Sequence, residues 1–515
     1  MKSKRSTEFI YNALVLISVS LIMRTVAIYF NVYISNKVGA EAMGVHGLIC
    51  GVYNFGITLA TSGINLATTR MVSEALGKGH HNAKNKIMRA CLTYSLIFGL
   101  LAASLMFSLA QPIAYRWLDD ARSITPLRIL ALSLPLISCS SALNGYFTAV
   151  RQVVKNAATV LVEQSIRISV TVILLTSVLP RGIEYACISL ACGSLAAELC
   201  SFIIMSILYL IQHKRATAPL LMCKTASTLC GIALPVAFSS YVRSGLLSLE
   251  HALIPIGLKK FGTDSATSLA LYGTLQSMAL PVVLFPAVFI TSFSGLLVPE
   301  IAESSAAGNR GRVKSIQRRT LRLTLLFSIG VSGIMLSFSR ELGACLYPNA
   351  PDAGKFIALL APLIPIMYLD SMTDVMLKGM GQQFYSMIVN IVDASLSTLL
   401  VWLLLPHYGI FSYIAIIYIC ELLNAALSVG RLLYVSGVKL NLVSWIIKPL
   451  VAVIGAISMA RLAFMLIGNY STPAFLTWAI ICCALIYLML LRGLYALERD
   501  DIQKIRGILK PRPQT

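Results

Sequence analysis

Long uninterrupted apolar stretches constrain this chain more than any other feature. A membrane-spanning helix needs about 20 consecutive apolar residues, because a bilayer offers no water to satisfy backbone polar groups. The chain has 515 residues, of which 57% are hydrophobic and 12% charged, so little of it remains for a soluble catalytic domain. The sequence predicts an all-α integral membrane protein with 14 spans, near 9–33, 42–66, 88–110, 124–149, 157–180, 183–211, 227–256, 267–299, 320–346, 355–378, 385–406, 409–433, 444–468 and 473–493.

The basic residues predict the orientation of these spans. Lys and Arg number 42 against 21 Asp and Glu, a net charge of +21. In alternate loops, 29 basic residues fall on one side of the membrane and nine on the other. This bias predicts a multi-pass protein of the cytoplasmic membrane with both termini in the cytoplasm. Because the basic residues lie mostly in short loops, they favour anionic membrane lipids over nucleic acid as partners.

No residue pattern of metal or nucleophilic chemistry is present in the sequence. The 12 cysteines include no C-x-x-C pair, and most lie within apolar stretches. The six histidines form neither H-x-x-x-H nor H-E-x-x-H. We therefore expect no metal, no cofactor and no catalytic residue, and interpret the cysteines as small packing residues.

An internal repeat predicts how the spans are organised. Residues 72–89 resemble residues 301–318 at a shift of 229, and shifts of 227–230 recur in neighbouring spans. Six spans separate the copies, so both have the same orientation, as in parallel repeats related by an axis along the membrane normal. The predicted divisions are an N-lobe with six spans, a C-lobe with six spans, two further spans and a cytoplasmic basic tail, at 1–215, 216–435, 436–495 and 496–515.

Two arginines are predicted near the membrane midplane, where an ionisable residue costs about 2.5–3.5 kcal/mol on insertion scales. Arg24 lies near the middle of the first span and Arg243 near the middle of the seventh. Guanidinium matches phosphate oxygens bidentately and repels a cationic drug, which favours an anionic substrate such as a diphosphate. The alternative is structural pairing, with Glu250 as the partner of Arg243.

Carboxylates within the spans have two readings. Glu163 and Arg167 are spaced i, i+4 in the fifth span, which predicts a structural ion pair. Asp370, Asp374 and Lys378 share one face of the tenth span. Asp374 is expected to pair with Lys378, whereas Asp370 lies deeper. Asp370 and Asp374 are therefore candidates for binding a coupling ion, sodium or a proton, with an interhelical hydrogen bond as the alternative for Asp370.

Several motifs resemble a known family. The stretches YGTL at 272–275 and LVPEIAE at 297–303, SSYVRSGL at 239–246 followed by Glu250 and His251, and LKGMGQQ at 377–383 are similar to lipid-linked oligosaccharide flippases. The likeness is to the stage V sporulation protein B branch of the multidrug/oligosaccharidyl-lipid/polysaccharide exporter superfamily. It covers about residues 8–495.

The resemblance implies a MATE-like fold of two six-helix lobes in a V around a central cavity, plus two C-terminal helices. It also implies that Arg24 and Arg243, with Glu250 and His251, contact the substrate. The leading hypothesis is therefore a flippase for an undecaprenyl-diphosphate-linked saccharide, plausibly a peptidoglycan precursor for the spore cortex. A cation-coupled multidrug exporter and an enzyme of envelope assembly are the competing hypotheses.

Overall fold

The computed structural model describes residues 2–77, 83–150, 152–178, 182–212, 222–292, 294–438, 441–465 and 473–494. Within these ranges the chain forms helices joined by turns and contains no β-strand. The predicted basic tail, 496–515, lies outside the described residues. In chain order the α-helices are α1 (Lys2–Thr61), α2 (Ile64–Gly77), α3 (Ala83–Ile113), α4 (Ile124–Ala131), α5 (Leu134–Ala149), α6 (Val153–Val178), α7 (Ile183–Gln212), α8 (Met222–Phe261), α9 (Ser265–Tyr272), α10 (Leu280–Leu284), α11 (Ala287–Thr291), α12 (Ser294–Ala306), α13 (Arg310–Ser337), α14 (Ser339–Leu346), α15 (Ala353–Leu360), α16 (Ile364–Gly379), α17 (Gln383–Tyr408), α18 (Ile410–Ser436), α19 (Lys448–Met465) and α20 (Pro473–Gly493).

The length and composition of the helices are those of a multi-pass membrane protein. In the described part of the chain, 11 helices are long and apolar enough to cross a bilayer, or up to 12 if the bent pair α4 and α5 forms one span. One of the 11, Leu21–Leu76, runs for 56 residues, or about 84 Å at 1.5 Å per residue. That length exceeds the hydrocarbon core, which is about 30 Å thick. The total of 14 spans stays a prediction.

Gly39 divides α1 into two arms. Its φ of 84° and ψ of 171° are not helical, and a residue without Cβ adopts this backbone conformation without steric cost. We call residues 2–38 the first arm and residues 40–61 the second arm. The division agrees with the first two predicted spans, 9–33 and 42–66.

The chain separates into two compact units. The first contains residues 1–277 and 390–417, and the second contains residues 278–389 and 418–515. The predicted lobes, with their boundary at 215/216, follow the internal repeat rather than this division by contacts. They remain a prediction.

In the first unit, α1 packs against α8 and α9, and α6 packs along α7. The second arm approaches α9 at backbone distance. A Cβ placed on Gly44 would lie 2.1 Å from the carbonyl oxygen of Leu269, and one on Gly273 would lie 2.3 Å from that of Ala40. Only glycine permits this approach, because a Cβ at either position would overlap the opposing backbone.

In the second unit, α13 packs against both α16 and α19. The Tyr487 hydroxyl of α20 donates a hydrogen bond to the carbonyl oxygen of Leu326 at 2.6 Å. The Tyr368 hydroxyl of α16 donates one to that of Val283 at 2.8 Å. These bonds occupy backbone acceptors within apolar packing, where an unpartnered carbonyl is costly.

Helix ends recur at a constant separation along the chain. α2 ends at Gly77 and α12 ends 229 residues later, at Ala306. α6 and α17 begin 230 residues apart, at Val153 and Gln383, and they also end 230 residues apart. The interval equals the shift between the similar stretches of sequence.

The connection between α8 and α9 carries a capping carboxylate outside the predicted membrane interior. Asp264 is the N-cap of α9 and accepts a hydrogen bond from the backbone N–H of Thr267 at 3.1 Å. Hydrogen bonds from Thr267 stabilise the ionised form and lower the pKa of Asp264 below its ordinary value. The charged cap also complements the positive end of the helix dipole.

Candidate substrate site

Two exposed arginines stand out in the first unit. Arg24 lies on the first arm of α1, and Arg243 lies on α8. Neither side chain forms an ion pair or hydrogen bond with another described residue. The alternative pairing of Arg243 with Glu250 is therefore not what the structure places there.

The two arginines lie at similar depth along the helices. Arg24 precedes Gly39 by 15 residues and Asn54 follows it by 15, so they lie at about the same level on arms that rise 1.5 Å per residue and line one cavity. One turn beyond Asn54, the Thr58 hydroxyl donates a hydrogen bond to the Ser244 hydroxyl at 3.1 Å. Arg243, the neighbour of Ser244, is thus within about one helical turn of the level of Arg24.

The second arm of α1 is held to α8 by polar contacts near Arg243. The Ser248 hydroxyl donates a hydrogen bond to the carbonyl oxygen of Gly51 at 2.6 Å. The Ser62 and Tyr241 hydroxyls are also hydrogen-bonded to each other. These contacts fix the part of α8 that presents Arg243.

A cavity of about 350 Å³ opens between the two arms of α1 and helices α4, α6 and α7, all within the first unit. Apolar residues line much of it, including Phe30, Ile34 and Leu190. Its polar lining residues include Asn31, His46, Asn54, Gln164, Arg167 and Glu198. The cavity therefore combines apolar walls with a few polar groups, as small-molecule sites do.

Arg167 connects two carboxylates at the wall of this cavity. Its Nη2 lies 2.8 Å from Oε1 of Glu163 and 3.4 Å from Oε1 of Glu198. The three side chains are between 16% and 31% exposed, so the attraction is only partly screened by solvent. The sequence spacing anticipates the contact with Glu163, but not the contact with Glu198 on α7.

A second polar pair lies on the second arm of α1. The Sγ of Cys50 is 3.4 Å from Nε2 of His46, one helical turn away. Both residues line the cavity, as does Cys187 of α7. Cys50 is therefore a polar contact within a cavity rather than only a small packing residue.

Glu250 and His251 lie on α8 and face different neighbours. Glu250 is buried, receives a long hydrogen bond of 3.5 Å from the Tyr413 hydroxyl and hydrogen-bonds Ser397. His251 has its Nδ1 3.2 Å from the Tyr272 hydroxyl. Since Arg243 is exposed and Glu250 is buried, the structure does not gather Arg243, Glu250 and His251 into one cluster. Their predicted contact with substrate stays a prediction.

The second unit holds the other two predicted carboxylates, on α16. Oδ2 of Asp374 lies 2.6 Å from Nζ of Lys378, and Oδ1 accepts a hydrogen bond from the Ser386 hydroxyl. Asp370 lies one turn earlier, partly buried, and makes its own polar interaction. In the part of the chain that the structure describes, no group of three or more His, Cys, Asp or Glu residues is arranged to hold a metal ion.

The cavity itself was not predicted from the sequence. Asn31, Asn54 and Gln164 are ordinary polar residues in apolar helices, and no motif distinguishes them. One signal was available: Asn31 follows Arg24 by seven residues, which places the two on one helix face.

Two families match this chain. The family described as polysaccharide biosynthesis protein matches residues 9–244, and the MatE family matches residues 262–403. The chain belongs to the multidrug/oligosaccharidyl-lipid/polysaccharide exporter superfamily, whose members are multi-pass membrane transporters. The resemblance found in the sequence motifs is thereby confirmed.

Particular relatives cover most of the chain. It is 25% identical over 507 residues to Stage V sporulation protein B of Bacillus subtilis (strain 168), covering 96% of this chain and 97% of the relative. It is 23% identical over 430 residues to Lipid II flippase MurJ of the same organism, covering 77% of each. These relatives are transporters or flippases rather than enzymes.

Solved structures share the fold. Lipid II flippase MurJ in an inward closed conformation superposes with a TM-score of 0.72 at 15% identity, covering 95% of this chain and all of that one. An inward-facing multidrug resistance MATE family transporter superposes with a TM-score of 0.64 at 14% identity, covering 82% and 97%. At these identities the likeness concerns the fold alone.

Proposed function

We propose that the protein is a flippase that moves an undecaprenyl-diphosphate-linked saccharide across the cytoplasmic membrane. The observation that carries this proposal is the pair Arg24 and Arg243, both exposed, both without an ionic partner among the described residues, and at similar depth. A permanently charged group within a span needs a compensating partner. A diphosphate supplies that partner, because its oxygens accept the paired N–H donors of guanidinium.

The relatives support a lipid-linked substrate. One is named for flipping lipid II, and another for stage V of sporulation. A peptidoglycan precursor for the spore cortex is therefore the substrate we propose. The saccharide would cross without any bond being made or broken, so the chain needs no catalytic residue.

The internal repeat supports alternating access as the mechanism. Helix ends that recur 229–230 residues apart favour two similar six-helix lobes in residues 1–215 and 216–435, followed by two further spans. Parallel repeats of this kind transport by rocking one lobe against the other. The excess of basic residues in alternate loops supports cytoplasmic termini.

Basic side chains at the start of α13 support contact with anionic lipid. Arg310, Arg312, Lys314 and Arg318 are exposed there. Each basic residue near an anionic leaflet contributes about 1 kcal/mol to membrane attraction. We propose that this segment lies at the cytoplasmic surface.

A coupling ion is the least constrained part of the proposal. Asp374 is already engaged by Lys378 and Ser386, which leaves Asp370 as the better candidate of the two for sodium or a proton. Its depth in α16 supports this role, since an intramembrane carboxylate is costly without function.

A multidrug exporter is the second candidate, because the fold is shared with MATE transporters and two carboxylates meet one arginine at the cavity wall. It predicts export of cationic dyes. The two unpaired arginines oppose it, because they repel cationic substrates.

The test is native mass spectrometry of the purified protein, to identify the lipid that remains bound. We expect a lipid diphosphate on the unaltered protein and its loss from the double variant Arg24→Ala with Arg243→Ala. Arg70→Ala, which removes an exposed arginine paired with Glu74 on α2, is the control and should retain the lipid. Retention of the lipid diphosphate by the double variant would refute the proposal.

A further inference from the structure

The cavity of the first unit continues the face of α1 that carries Arg24. Ala27 and Asn31 line the cavity, and they follow Arg24 by three and seven residues. In an α-helix these positions lie on one face, about 4.5 Å and 10.5 Å further along the axis. A group attached directly to a phosphate at Arg24 therefore reaches the cavity.

The cavity lining contains polar groups that await a partner. The side-chain amides of Asn54 and Gln164 make no hydrogen bond with any described residue. Each amide provides two donors and an acceptor, and such groups are normally satisfied by water or by ligand. They lie on α1 and α6, on two walls of the same cavity.

The charges at the wall disfavour a second phosphate. Arg167 is already contacted by Glu163 and Glu198, so its charge is neutralised by the chain itself. The carboxylates retain acceptor sites, since each can accept about four hydrogen bonds. Acceptors of this kind suit hydroxyl and amide donors, and Phe30 and Tyr53 add ring surfaces to the lining.

We propose that this cavity binds the sugar joined to the diphosphate of the lipid-linked substrate. The proposal rests on the flippase function and on a diphosphate held at Arg24. The volume of about 350 Å³ lies near the lower end of ligand pockets, about 300–1,000 Å³. The site therefore suits one or two sugar rings rather than a long glycan, and it reads the sugar nearest the phosphate.

The test compares the affinities of two lipids for the purified protein in detergent. The lipids are undecaprenyl diphosphate and undecaprenyl-diphosphate-linked N-acetylglucosamine. We expect the unaltered protein to bind the sugar-bearing lipid about tenfold more tightly, equivalent to about 1.4 kcal/mol. Gln164→Leu should bring the affinity for the sugar-bearing lipid down to that for the bare lipid.

A second variant and a control make the result independent of folding defects. Asn54→Leu, on a different helix, should remove the preference in the same way. Ser165→Ala, which alters an exposed residue bonded to its own helix, should keep it. Equal affinity for both lipids in the unaltered protein, or a preference that survives in both leucine variants, would overturn the proposal.

Arg24→Ala separates this inference from the proposed function. It should weaken the binding of both lipids, because both carry the diphosphate. If it does and the sugar preference is absent, only the cavity assignment is wrong. If it leaves the binding of bare undecaprenyl diphosphate unchanged, the diphosphate contact itself is wrong.

Discussion

Gly44 on the second arm of α1 lies so close to α9 that no side chain fits there. A Cβ at this position would be 2.1 Å from the carbonyl oxygen of Leu269. A separation of at least 3.0 Å is needed, so Gly44→Ala must move the two helices apart by about 1 Å. Gaps of this size forfeit a quarter to a half of each dispersion contact around them.

Gly51→Ala is the matched control on the same arm. A Cβ there would lie 3.4 Å from Cβ of His251, an ordinary contact. Both substitutions gain about 0.5–1 kcal/mol from replacing glycine within a helix. Their difference in free energy of unfolding therefore isolates the overpacking cost, which we expect to be about 1–3 kcal/mol.

Detergent-induced unfolding in mixed micelles measures this difference. Gly44→Ala should unfold at a lower denaturing-detergent fraction than the original protein, and Gly51→Ala at an equal or higher fraction. If Gly44→Ala is as stable as Gly51→Ala, the close packing of the second arm on α9 is wrong.

Three further predictions concern other contacts. Arg167→Met should lower the free energy of unfolding by about 2 kcal/mol, less than for a fully buried pair because the side chains are partly exposed; adding Glu163→Gln and Glu198→Gln should restore part of the loss, and no restoration would contradict the ion-pair account. Because folding lowers the pKa of Asp264, its stabilising effect is present above about pH 4 and lost as the pH falls through the lowered folded value. Amide exchange at the start of α9 should therefore rise in acid, and Asp264→Ala should show the faster exchange at neutral pH; exchange unaffected by the substitution would exclude the cap. Tyr368→Phe should cost about 1 kcal/mol in the same unfolding assay, because a backbone carbonyl loses its hydrogen bond, and an unchanged stability would mean that this bond contributes nothing.

The sequence predicted the membrane class and the local contacts well. Hydrophobic length identifies spans because a bilayer admits few alternatives, and the Glu163–Arg167 contact follows from helical spacing. Contacts between helices distant in the chain were not readable in this way. Glu198 reaches Arg167 across 31 residues, and Gly44 meets Gly273 across more than 200.

The candidate site was predicted in part for the same reason. A charge within an apolar span is visible in a sequence, so Arg24 and Arg243 were found. A cavity depends on which helix faces meet, and neutral amides such as Asn54 and Gln164 carry no spacing signal of their own. Neutral polar groups become informative only when the packing shows that they face a common space.

Translocation in reconstituted vesicles tests the central claim most directly. The measurement is the movement of an undecaprenyl-diphosphate-linked saccharide between leaflets, comparing the original protein with the double variant Arg24→Ala and Arg243→Ala. Loss of both guanidinium contacts, each a charge-assisted hydrogen-bonding group worth about 1.5–3 kcal/mol, predicts at least a tenfold slower rate in the double variant. Translocation at the original rate by a folded double variant would contradict the account.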